Sequence, residues 1–281
     1  MIRVGCHLSI AGGFRMAARS AIDLGCETFQ VFSRSPRGGA AKALDVSDVA
    51  EFQRLVRENG ITPCIVHAPY YLNLASPDGV VIEYTQRIIA EDVGRARALG
   101  ASYLVLHMGH SGAPDPIAQT ARMLDSVFRE APDDGVLLLL ENTAGQGKEI
   151  GTGFGSIADV ISRSRHPERL GFCLDTCHAH AAGYDLSTRR GLDATLSELE
   201  RTLGLPRLKL IHANDSKEAP GSCRDRHEDI GEGYIGKTGF RMIMNTPGFD
   251  GLPAILETPV STTESNRKNI TMLKSLRSAP Q

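Results

Sequence analysis

Short apolar runs recur along the chain, separated by longer segments in which apolar residues return every three or four positions. Eight runs read as strands: Val4–Leu8, Thr28–Phe32, Cys64–His67, Tyr103–His107, Val136–Glu141, Gly171–Asp175, Leu208–His212 and Pro253–Glu257. They are rich in Val, Ile and Leu, and several lack polar alternation, the pattern of strands covered on both faces. Between them, Val49, Phe52, Leu55 and Val56 share one helical face ahead of Gly60. Leu192, Leu196, Leu199 and Leu203 do the same ahead of Gly204. A glycine just past the last periodic residue is a helix stop. Eight strand–helix units with no linker or low-complexity insert predict a single α/β domain, a (β/α)8 TIM barrel over residues 1–277 with a short tail at 278–281. A doubly wound open sheet is the alternative architecture for the same alternation.

The polar residues change the picture, because they fall at one end of these runs. His67 ends the third run, His107 the fourth, Glu141 the fifth, Asp175 the sixth, His212 the seventh and Glu257 the eighth. In a barrel the C-terminal strand ends ring the mouth, so side chains tens of residues apart converge there. One such histidine is ordinarily structural; six in register are not readily explained that way. Three carboxylates and three imidazoles crowded together repel or need large pKa shifts unless cations balance them. Imidazole with carboxylate, and no thiolate set at ligand spacing, suits zinc, manganese or iron. Two further groups lie just beyond strand ends. His178 follows Asp175 by three residues, and Asp225 and His227 stand two apart, so in extended chain they share a face. Gly231, Gly233 and Gly236 follow, and are expected to let the backbone approach a ligand closely.

Composition adds limits. With 41% hydrophobic and 23% charged residues in 281, the chain is an ordinary globular protein, and no apolar run is long enough for a membrane span. Six cysteines without a CxxC pair, and no secretory leader pattern in Met1–His7, lead to the expectation of reduced thiols and a cytoplasmic location. The formal charge of −2 does not advertise a polyanion partner, but that count omits metal.

Four stretches carry a resemblance: "LENTAGQG" (Leu140–Gly147), "CLDTCHAHAAGYD" (Cys173–Asp185), "HANDSK" (His212–Lys217) and "DRHEDIGEGYIG" (Asp225–Gly236). With "GCHLSIAGG" near the start and "DGLPAILET" near the end, the chain resembles the endonuclease IV family of apurinic/apyrimidinic endonucleases. The resemblance implies a barrel with three zinc ions that incises DNA 5′ to an abasic site, leaving a 3′-hydroxyl and a 5′-deoxyribose phosphate. It also implies trimming of blocked 3′ ends, and a monomer. Carried over by position, His67, His107 and Glu141 hold the first ion. Glu141 bridges to a second, bound also by Asp175, His212 and Glu257. His178, Asp225 and His227 hold the third. Glu141 and Glu257 are the candidates to orient the nucleophile. Arg37 and Tyr70 are implied to enter or stack in the DNA, Tyr71 beside them, from "FSRSPRGG" (which also holds Arg34) and "VHAPYYLNL". His180 has no ligand role in the family and is expected to be structural, and His7 to make a hydrogen bond behind the ligands. Two rivals remain at this level. A sugar isomerase on the same barrel would use one or two metals and leave His178, Asp225 and His227 idle. A metal-dependent DNA-binding or storage protein would keep the ligands without turnover.

Overall fold

Chain closure is visible in the pairing of the first strand with both its neighbours. Strand β1 (Arg3–Leu8) pairs in parallel with β2 (Phe29–Phe32), and the series runs through β3 (Cys64–His67), β4 (Tyr103–Leu106), β5 (Leu137–Glu141), β6 (Leu170–Asp175) and β7 (Leu208–His212). Two two-residue strands, β8 (Asp215–Ser216) and β9 (His227–Glu228), then form a separate antiparallel hairpin. Strand β10 (Pro253–Leu256) returns to the sheet between β7 and β1, with Cys6 opposite Leu256. This computed structural model, which describes residues 1–110, 112–131, 135–259 and 262–278, is therefore a closed (β/α)8 barrel, and the open-sheet alternative is excluded. Of the expected tail, 279–281 lie outside the described residues; the Ser278 amide donates to Asn245 Oδ1 at 2.6 Å.

Helices α1 (Phe14–Asp23), α2 (Val46–Glu58), α3 (Gly79–Leu99), α4 (Pro116–Glu130) and α5 (Phe154–Arg163) cover the first half of the barrel. A six-residue α6 (Thr176–Ala181), then α7 (Arg189–Thr202), α8 (Gly236–Met244) and α9 (Thr263–Ser275), cover the second. Their ends follow local chemistry. Asp45 caps α2 by accepting from the Ser47 and Asp48 amides, and Gly60 takes φ 62° just past its end. Among the described residues, no helix is long and apolar enough to cross a membrane.

Strand alternation divides the core in two. Cys64 and Val66, Leu104 and Leu106, Leu138 and Leu140, Phe172 and Leu174 join the large cluster shared with the helices. Their neighbours Ile65, Val105, Leu139, Cys173, Leu210 and Ile255 form a separate cluster, which is the packed interior of the barrel. Successive side chains of a strand point to opposite faces, so whatever stands two residues beyond an interior residue also points inward, one layer higher.

Candidate metal centre

That rule places six of the predicted ligands. Ile65 is followed by His67, Val105 by His107, Leu139 by Glu141, Cys173 by Asp175, Leu210 by His212 and Ile255 by Glu257, each two positions on. His107 and Glu257 stand one residue past the strand ends, and the inward direction carries through. The ring meets at Glu141. Its Oε2 lies 3.1 Å from His67 Nε2 and 3.2 Å from His107 Nε2, and its Oε1 lies 3.0 Å from His212 Nδ1 and 3.4 Å from His178 Nδ1. Glu257 Oε2 is 3.3 Å from His212 Nδ1.

The third group stands above this ring on two short elements. Asp175 caps α6, its Oδ1 accepting from the His178 amide at 2.8 Å, and so sets His178 one turn above the strand. The β8–β9 hairpin brings Asp225 and His227 to the same place. Asp225 Oδ2 is 3.2 Å from His178 Nε2, and its Oδ1 is 3.1 Å from His227 Nε2. Donor atoms of His67, His107 and Glu141, of His67, His212 and Glu257, and of His178, Asp225 and His227 each lie within 4.8 Å of one another. Lys217, Arg226 and Pro259 join Asp225, His227 and Glu257 around a cavity of about 310 Å³ at this rim.

The outward nitrogens are already committed. His67 Nδ1 bonds the Ala68 carbonyl at 2.6 Å, His178 Nδ1 that of Asn142 at 2.9 Å, and His227 Nδ1 that of Glu257 at 2.7 Å. His212 Nε2 bonds Gln30 Oε1 at 2.9 Å. Each of these rings donates outward and turns its other nitrogen to the carboxylates, the arrangement that fixes a metal-binding tautomer. His227 Nε2 is buried without a hydrogen-bond partner although Asp225 Oδ1 is near, because the two atoms are not aligned for a hydrogen bond. Once its proton is displaced, that nitrogen and the carboxylate oxygens facing it form a donor set that fits a divalent ion. Two buried thiols, Cys173 and Cys177, also come within reach. Burial pushes both up to about 12, which keeps them neutral where imidazole and carboxylate are at hand.

Electrostatics agree with the geometry. Burial alone would raise Glu141, but His212 and then His107 hold its carboxyl well below the usual range. Burial would lower His178, yet Asp175, Asp225 and Glu141 raise it well above the ordinary histidine value. His227, also opposed by burial, is lifted to about 9 by Asp225 and then Asp175. Without cations, the cluster keeps protons on its imidazoles to balance its carboxylates; ion binding displaces them.

Four residues of the site have no part in the sequence-based expectation. Gln30, fully buried in β2, donates to Glu257 Oε1 at 2.7 Å and lies 3.1 Å from His7 Nδ1. Asn142 exchanges bonds with the Asp175 backbone, and Asn214 donates to Asp175 Oδ2 at 2.6 Å while accepting from the Glu257 amide at 2.7 Å. Asp215 accepts from the amides of Gly231, Gly233, Ile235 and Gly236. The glycines therefore approach a carboxylate of the chain itself, not a ligand: a Cβ at Gly233 would stand 2.4 Å from the Ser216 carbonyl oxygen. A polar residue inside the apolar "FQVF" was the one available signal for Gln30.

Outside the ring, His7 Nδ1 lies 3.5 Å from Glu257 Oε1. His180 is buried, with Nδ1 accepting from the Leu186 amide at 3.3 Å. Tyr70 is 62% exposed on the loop after His67, whereas Tyr71 packs on the core with its hydroxyl 3.4 Å from that of Tyr84. Arg37 is exposed on the loop after β2. Arg34 is not: its side chain is 1% exposed and paired with Asp92 at 2.7 Å and Glu91 at 2.9 Å, so it has no face for a partner.

Residues 18–278 match the family described as xylose isomerase-like TIM barrel. The chain is 43% identical over 282 residues to a probable endonuclease 4 of Methanoculleus marisnigri, covering 99% of this chain and 100% of that one. Among solved structures it is similar to endonuclease IV from Thermus thermophilus, with TM-score 0.87 and 34% identity over 98% of each chain. A D-tagatose 3-epimerase-like protein covers 98% of this chain and 97% of its own length with TM-score 0.73 at 19% identity, a likeness of fold alone.

Proposed function

Because the chain belongs to the endonuclease IV family and is a hydrolytic nuclease, we propose that it is a base-excision repair endonuclease. It cuts double-stranded DNA 5′ to abasic sites, leaving a 3′-hydroxyl and a 5′-deoxyribose phosphate, and it removes groups that block 3′ ends. It acts as a cytoplasmic monomer. The observation that carries this reading is the third donor group, His178, Asp225 and His227, standing beside the ring of six. A one- or two-metal sugar isomerase has no use for it.

Three zinc ions fit the donors, with manganese or iron as alternatives at one or more positions. His67, His107 and Glu141 would hold the first, Glu141 with Asp175, His212 and Glu257 the second, and His178, Asp225 and His227 the third. When bound, such ions supply hydroxide near neutral pH and offset the charge that builds on phosphate oxygens. The protein supplies orientation. Glu141 and Glu257 direct the attacking oxygen, and Gln30 and Asn214 hold Glu257 through its side chain and its amide. Three divalent ions would carry the formal charge from −2 to about +4, concentrated at the mouth, where a DNA backbone would meet it. Arg37, Tyr70 and Tyr71 stand on loops at the same rim. An abasic nucleotide has no stacking to lose on extrusion, and side chains such as these fill the gap it leaves.

The test is a duplex with one abasic site, incubated with metal-loaded protein. Incision giving an end that primes a polymerase, with about three ions per chain, is expected. Binding without incision would favour the storage or DNA-binding rival. One or two ions with polyol turnover would favour the isomerase.

A further inference from the structure

Both loops assigned to DNA contact rest on one face of α3, and no functional role of that helix follows from the metal site. We propose that α3 is the platform that positions them, with Arg95 as the positioning residue for the loop carrying Arg37; the proposal rests on the function given above. Residues 33–42 have little structure of their own, with Gly38 and Gly39 both at positive φ (92° and 91°) and Arg37, Gly39, Ala40 and Lys42 exposed. Among the described residues, the hydrogen bonds that tie 34–42 to other elements all go to α3. The Arg95 guanidinium reaches both ends of the loop: Nε and Nη2 donate to the Ser33 carbonyl, and Nη1 to the Lys42 carbonyl at 2.9 Å. Ser33 and Arg34 are pinned from below by Asp92, Oδ1 accepting from Ser33 Oγ at 2.5 Å and from Arg34 Nε at 2.7 Å.

The second loop sits on the same helix about two turns earlier. Tyr71 meets Tyr84 hydroxyl to hydroxyl, and the Asn73 amide lies 3.5 Å from Thr85 Oγ1. Tyr84, Glu91, Asp92 and Arg95 recur at spacings of seven, eight and eleven residues, which share one helical face. The loops also meet each other: a Cβ at Gly38 would be 3.9 Å from the Tyr71 ring. Ordering a loop before its ligand arrives removes that cost from binding. The helix thus presets the spacing between Arg37 and the tyrosines, and its loss is read in substrate binding, not in the metal chemistry.

Arg95 is the residue to change, since it is only half-buried and its carbonyl partners can turn to water, whereas removing Asp92 would strand a buried guanidinium. The full-length zinc-loaded protein is compared with Arg95→Met and Arg95→Lys. In Arg95→Met, KM for an abasic duplex rises about tenfold, kcat changes less than about twofold and zinc content is unchanged. Trypsin then cuts after Arg37 or Lys42 several times faster, and Arg95→Lys recovers part of both effects. Unchanged KM in a folded, active Arg95→Met overturns the platform, as does a fall in kcat matched by a fall in zinc content, which would mean that Arg95 merely holds the fold. Failure of the unsubstituted protein to incise the duplex refutes the parent function, and the proposal falls with it, even where trypsin reports a released loop.

Discussion

The residue that most sharply tests the logic of the centre is Gln30. Its side chain is fully buried and its amide is used from both ends: Oε1 accepts from His212 Nε2 at 2.9 Å, and Nε2 donates to Glu257 Oε1 at 2.7 Å. Replacement by methionine keeps length and volume and removes all polar contacts. His212 then loses the acceptor that fixes its tautomer, and Glu257 loses a charge-assisted donor, of the kind worth about 1.5–3 kcal/mol. Residues that orient ligands in this way typically contribute 10–100-fold to metal affinity, or about 1.4–2.8 kcal/mol. The loss should be local. Gln30 touches donors of the His212–Glu257 group and none of the His178–Asp225–His227 group, so one ion weakens by that factor and the third holds. Competition of the Gln30→Met protein against a chromophoric zinc chelator, resolved by stoichiometry, measures it. Unchanged affinity for every ion would refute the argument that the amide sets the ligand geometry. A uniform weakening of all ions would refute its locality.

His178→Ala or Asp225→Ala should lose one ion per chain and at least about a hundredfold in turnover while the barrel still folds, checked by metal analysis and abasic-duplex incision. Gly233→Ala drives a Cβ to 2.4 Å from the Ser216 carbonyl oxygen and should cost about 1–3 kcal/mol, a fall of several degrees in Tm, whereas Gly155→Ala in α5 meets nothing within 4 Å and should be neutral or better. Against burial, which acts the other way, Arg277 holds the Glu27 carboxyl below the usual glutamate value, so the stability this pair contributes is present above about pH 4.5 and is lost as pH falls through the depressed folded value. The Tm gap between the unsubstituted protein and Glu27→Gln should therefore be small at neutral pH, the pair being partly exposed, and should close as pH falls through that depressed value.

The architecture was legible because strands buried on both faces cannot hide an ionisable end. His67, His107, Glu141, Asp175, His212 and Glu257 stood out against apolar runs, and the reason they converge, an interior residue two positions before each, was already in the sequence as Ile65, Val105, Leu139, Cys173, Leu210 and Ile255. What was not legible lies in neutral and very short features. Gln30, Asn142 and Asn214 look like ordinary polar residues, and their importance comes from partners more than thirty residues away. The β8–β9 hairpin and α6 are too short to show a period. Spacing gave Gly231, Gly233 and Gly236 as a place for close approach but not what approaches, which is Asp215. Arg34 and Arg37 look equivalent in sequence; only Asp92, from a helix nearly sixty residues on, separates a buried ion pair from an exposed side chain.

The two layers inside the barrel also account for why charge in this candidate site must be balanced locally and where its third donor group stands. The lower layer is apolar and packed, so the ring above it has no water beneath to solvate charge, and burial opposes ionisation at Glu141, His178, His212 and Glu257 alike. Charges so placed persist only when balanced within a few ångströms. Strand ends supply one level of side chains and no more. A further group must therefore come from chain that rises above the rim, and the fold provides it twice: α6, started by Asp175 itself, and a hairpin whose Ser216 and His227 stand opposite each other. Because Asp175 both faces the ring and caps the helix carrying His178, and because His227 Nδ1 bonds the Glu257 carbonyl, the upper group is fixed to the lower through hydrogen bonds among these same residues. The upper level depends on residues 176–181 and 215–228, and the nuclease reading of this chain depends on them too.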